Sequence, residues 1–95
     1  QAEWEQPDKE IAATVTIVFD HEVPELADRL TDFEHEHHSL IVASLHVHLD
    51  AHNCLEVLVL RGKSAEVKRL GEALISMKGV RHGKIATTTT GASLA

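Results

Sequence analysis

Residues 34–56 read EHEHHSLIVASLHVHLDAHNCLE, and this stretch decides the fold. From Leu40 to Leu49 the odd positions Ile41, Ala43, Leu45, Val47 and Leu49 are all apolar, while the even positions carry Leu40, Val42, Ser44, His46 and His48. Alternation of period two sends successive side chains to opposite faces of an extended chain, so the pattern predicts a β-strand. Asp50-Ala51-His52-Asn53 supplies turn residues, after which Leu55, Val57 and Val59 alternate with Cys54, Glu56 and Leu58 in another extended run. The two runs form a hairpin. Matching their faces stands Cys54 and Glu56 beside His46 and His48, on a polar face expected to look away from the side that helices cover.

Working outward, Ile11 to Asp20 places Ile11, Ala13, Val15, Ile17 and Phe19 on one face of a preceding strand. Pro24 suits the first turn of a helix, and Leu26, Leu30 and Phe33 recur at amphipathic spacing, predicting a helix that ends near His37. Beyond the hairpin, Gly62 is expected to end the strand and Ser64 to cap a second helix. Val67, Leu70, Leu74 and Met77 mark its buried stripe, and Gly79 closes it. A last strand runs from Val80 to about Thr88. The order is βαββαβ. With right-handed crossovers this is an α+β ferredoxin-like (ACT-like) domain, a four-stranded antiparallel sheet with two helices on one face and the Leu40–Leu49 strand at an edge. The domain is expected to span 11–88, preceded by a polar linker at 1–10 and followed by a flexible tail at 89–95.

Ninety-five residues with 43% hydrophobic content supply one core and no second domain. Nine basic residues against fifteen acidic ones give a net charge of −6, without a basic cluster. Such a surface excludes nucleic-acid binding by this stretch alone, since phosphate contacts need positive charge. A lone cysteine fits a reducing cytoplasm and leaves the thiol free. No apolar run reaches the roughly 20 residues of a membrane helix, so no membrane role is expected. An edge strand apolar on both faces calls for oligomerisation.

The same hairpin carries the chemistry. Six of the eight histidines and the only cysteine fall between His35 and Cys54. His46, His48 and Cys54 offer two imidazoles and a thiolate, a borderline-soft set suited to Ni(II), Zn(II), Co(II) or Cu(II), among which donors alone do not choose. A fourth donor must come from elsewhere. If the strand starts near Ser39, His46 lies seven residues along it, roughly 23 Å at ~3.3 Å per residue, and His35 sits at the opposite end. It is therefore expected to arrive from a neighbouring subunit across a two-fold axis. Glu56 and His21 are candidate partners that orient the ligands. His37, His38 and His82 are candidates for weak secondary metal binding.

Taken together, His35-x10-His46-x-His48-x5-Cys54-x-Glu56, with the later Gly79-Val80-Arg81-His82-Gly83, resembles the C-terminal metal-binding domain of the nickel-responsive transcriptional regulators, the NikR family, over about residues 11–86. The resemblance implies a tetrameric core and square-planar Ni(II) held by His46, His48 and Cys54 of one subunit and His35 of another. It also implies that nickel promotes operator binding and repression of nickel uptake genes. The family's DNA-binding part is an N-terminal ribbon-helix-helix domain, and nothing in this chain resembles one, so operator DNA would be a partner only of a full-length protein. Many members carry tyrosine where Phe19 stands, so a hydrogen bond from that phenol is absent here. Two other readings compete: an ACT-type small-molecule-sensing module and a zinc-stabilised structural domain. An enzyme is not expected, because a cysteine nucleophile would need oxyanion donors and no glycine-rich or helix-start segment lies near Cys54 in sequence.

Overall fold

A computed structural model describes residues 8–89. Its elements run β1 (Glu10–Asp20), α1 (Leu26–Glu36), β2 (Ile41–His48), β3 (Asn53–Lys63), α2 (Ser64–Ile75) and β4 (Val80–Thr89). The strands form one sheet in the order β2-β3-β1-β4, every neighbouring pair antiparallel, which is the expected ferredoxin-like α+β architecture with β2 at an edge. Strand β1 takes in Glu10 from the stretch read as linker, and β4 takes in Thr89. Residues 1–7 of that linker and 90–95 of the expected tail lie outside the described residues.

The period-two signal of β1 is realised as a buried face: Ile11, Ala13, Val15, Ile17 and Phe19 lie under the helices. They meet Leu26 and Leu30 of α1 and Val67, Leu70 and Leu74 of α2 in a single core. Each large side chain so buried contributes about 1.5–3 kcal/mol. Met77 packs against the edge of this core, as the apolar stripe predicts, although it lies beyond the last residue of α2.

The ends of the elements differ from expectation for local reasons. Helix α1 begins after Pro24, because Glu25 sits at φ 67° in the left-handed region and cannot continue a right-handed turn. Ser64 is the first residue of α2 rather than its cap, and its amide donates to the Lys9 carbonyl at 2.9 Å. Strand β3 passes through Gly62 to Lys63. A Cβ at Gly62 would collide with the Leu40 side chain, so the glycine admits a close approach rather than a strand end.

Strand β2 contains an irregularity at Val42, between Ile41 paired with Leu60 and Ala43 paired with Val59. Ile41 therefore packs against the core, whereas the later odd positions do not. Leu45 is 62% exposed, Leu49 51% and Val47 39%. The face of the hairpin without helices is thus apolar and open, the reverse of the expected arrangement.

Candidate metal centre

The register that builds β2 also builds the site. His48 stands opposite Cys54 and His46 opposite Glu56. Across the next ladder Cys54 stands opposite Phe19 and Glu56 opposite Ile17, which fixes this face as the one the helices cover. Cys54 accordingly is 0% exposed and joins the core, correcting the expectation that the cluster looks away from the helices. Both residue sets of β3 are largely apolar, so the sequence held no contrast from which to tell its two faces apart. The strand sits at the margin of the helical layer, and there His46 and His48 reach solvent while the sulfur lies beneath them.

One ligand-type atom from each of His46, His48 and Cys54 falls within 4.8 Å of the others. Cys54 Sγ is 3.4 Å from His48 Nδ1, and the two imidazole centroids are 5.4 Å apart. Phe19 meets the His46 ring edge to face at 5.6 Å, and His21 meets His48 similarly at 5.8 Å. His21 Nε2 donates to the Ala51 carbonyl at 2.6 Å, so its contact with His48 is through ring packing. Burial, followed by the negative charges of Asp20, Asp50 and Glu56, raises the Cys54 thiol above its ordinary range. A cation there reverses that balance by stabilising the thiolate. The donor set of one sulfur and two imidazoles, in acidic surroundings, therefore fits a borderline-soft divalent metal.

The remaining predicted residues divide. His35 is exposed on the last turn of α1 and is not among the donors gathered with His46. His37 and His38 finish that helix, their Nδ1 atoms donating to the carbonyls of Phe33 at 2.9 Å and His35 at 3.2 Å. Those bonds add to the capping of the last turn, where the Phe33 carbonyl also accepts the His37 amide at 3.1 Å. His82 lies exposed on β4 opposite Val18, away from the hairpin. Glu56 is 5% exposed and faces Glu34 from α1. Burial first, then the hydrogen bond and charge of Glu34, push the Glu56 carboxyl up to about 8.

Sequence reasoning missed Glu34 and Ser44. Glu34 lies four residues after the buried Leu30, on the inward face of α1, and that spacing was the available signal. A separate group, Asp20, Glu22 and His52, also gathers ligand-type atoms within 4.8 Å. Its members are already engaged, Asp20 with Arg81 and Glu22 with His52, each at 3.1 Å.

The Glu56 carboxyl implies a pH dependence of the metal-free fold. Its folded pKa of about 8 stands above the ordinary 4.5, so folding takes up a proton between those values. The stabilisation is fully present below the lower value and is lost as pH rises through the upper one. The melting temperature of metal-free protein should fall from about pH 5 to about pH 9 by this linkage, and Glu56→Gln should flatten the fall. Thermal melts followed by circular dichroism check it; an equal slope in the variant contradicts it.

Comparison with known proteins agrees with this geometry. Residues 12–88 match the family model described as the NikR C terminal nickel binding domain. The chain belongs to the NikR family. Two relatives with the words "nickel-responsive regulator" in their names come from Nitratidesulfovibrio vulgaris (Miyazaki F) and Geobacter sulfurreducens. They are 61% and 55% identical over 99% of this chain and 68% of their own length. NikR membership makes the chain a regulator's nickel-binding domain and not an enzyme. An uncharacterised protein from Thermotoga maritima shares the fold at TM-score 0.72 and 17% identity, covering 85% of this chain and all (100%) of its own. No helix among the described residues is long and apolar enough to cross a membrane.

Proposed function

We propose that this NikR domain senses Ni(II) at a subunit interface, His46, His48 and Cys54 of one subunit being joined by His35 of another within a homotetramer. Nickel loading then promotes operator binding by the full-length cytoplasmic protein and represses nickel uptake. One observation carries the reading: three metal-type donors converge at the rim of a sheet, and His35 stands exposed on the adjoining helix outside that group. The open face with Leu45, Val47 and Leu49 supports assembly, since contiguous exposed apolar surface marks interaction sites. Two states differing in subunit arrangement, each with its own nickel affinity, are sufficient to pass the signal to DNA-binding arms.

Titrating Ni(II) into metal-free protein should produce a thiolate-to-nickel absorption band. Colourless protein that holds zinc and melts on chelation instead supports the structural-zinc reading. A His35→Ala chain mixed with a His46→Ala chain should regain part of the nickel capacity that each lacks alone. No regain overturns ligation across subunits.

A further inference from the structure

Between the last turn of α1 and the flank of α2 lies an apolar groove of about 350 Å³, lined by none of the three metal donors. Phe33, Leu40, Leu70 and Ala73 form its apolar surface, and Arg69 and Glu66 line it as well. Its α1 wall is held in place. The His37 ring lies 4.3 Å from the Phe33 ring and bonds to the Phe33 carbonyl, while the Leu40 amide donates to the His37 carbonyl at 2.9 Å. A preformed concave apolar surface favours an apolar side chain over water.

The occupant follows from where the chain enters the domain. Leu40 and Glu66 also line a neighbouring hollow, together with Asp8 and Glu10, so the groove continues to the start of β1. There the Ser64 amide donates to the Lys9 carbonyl at 2.9 Å and pins the entering chain to the first residue of α2. Trp4 precedes Asp8 by four residues, a reach of up to about 14 Å when extended. Along α2, Ala73 follows Glu66 by seven residues, about 10.5 Å at ~1.5 Å per residue. The indole therefore reaches the groove. Among residues 1–7, QAEWEQP, Trp4 is the single large apolar side chain. Arg69 complements the charges of Glu3 and Glu5 on either side of it and offers a cation to the indole face.

We propose that the Trp4 indole docks in this groove within its own chain, tying the N-terminal segment to the helix turn that presents His35. Phe33 and His37 stand two residues to either side of His35, so segment and ligand share one turn of α1.

The test reads the whole metal-free chain and so stands apart from the nickel reading. Trp4 is the only tryptophan and the chain has no tyrosine, so tryptophan emission reports on this side chain alone. Wild-type emission should lie to the blue of the urea-unfolded spectrum, with acrylamide quenching slowed. Ala73→Glu, at an exposed position of α2, should move the emission to the unfolded wavelength and leave the circular dichroism unchanged. Trp4→Ala should lower the folding equilibrium constant by about tenfold. In NMR, the indole should show nuclear Overhauser contacts to the Ala73 and Leu70 methyls within labelled chains, and none between labelled and unlabelled chains refolded together. Wild-type emission at the unfolded wavelength overturns the proposal, as does blue emission that a folded Ala73→Glu protein retains. Methyl contacts found only between chains give the groove to a second copy and also overturn it. Should Ala73→Glu fail to fold, the methyl contacts in wild type decide, and their absence overturns the docking.

Discussion

Replacing Cys54 with serine should abolish the thiolate-to-nickel band and lower nickel affinity by more than about 100-fold, beyond the 10- to 100-fold typical of a residue that only supports a ligand. The sulfur is the single soft donor of the cluster, 3.4 Å from His48 Nδ1 and fully buried beneath the two imidazoles. Serine keeps the size but offers a hydroxyl that stays protonated near neutrality, so the metal loses its one charged donor. Cys54 also lies in the core, and a buried hydroxyl without a partner costs about 1–3 kcal/mol. Competition titration against a chelator, beside chemical denaturation of metal-free protein, separates loss of ligation from loss of folding. A folded Cys54→Ser protein with the wild-type spectrum would remove the thiolate from the site.

Phe19→Ala should be the most damaging single substitution for the fold, at about 3–5 kcal/mol, set against the 5–15 kcal/mol that holds a typical domain together. Phe19 is fully buried on β1, opposite Cys54, and its ring meets His46 edge to face at 5.6 Å. Truncation opens a cavity under the cluster and frees the imidazole, so nickel affinity should fall together with stability. Urea denaturation of metal-free protein measures the first effect; a loss below about 1 kcal/mol, the range of well-tolerated core swaps, contradicts the assigned packing.

The hairpin, the order of elements and the grouping of His46, His48 and Cys54 were legible because side-chain alternation fixes which residues share a face. Which face the helices cover was not, since Leu55, Val57 and Val59 are as apolar as Cys54, Leu58 and Leu60 are together. Only the β1–β3 register, placing Phe19 against Cys54, decides it. Glu34 escaped for a related reason. A carboxylate on an amphipathic helix reads as solvated, and its inward position appears only when α1 is laid against Ser44 and Glu56. His37 and His38 looked like spare ligands because capping of helix-end carbonyls leaves no trace in residue spacing.

The irregularity at Val42 separates two problems of chain length. Downstream of it, facing in β2 is dictated by the Asp50–Asn53 turn, where Asp50 accepts backbone hydrogen bonds from His52 and Asn53 at 2.8 Å. Upstream, facing is dictated by the junction with α1, where Ile41 joins the core. An inserted or deleted residue in that junction can be absorbed at the mismatch, leaving imidazoles and sulfur in step. The same change in the turn would rotate Cys54 to the far side of the sheet relative to the histidines, so length variation is tolerable before the strand and ruinous after it.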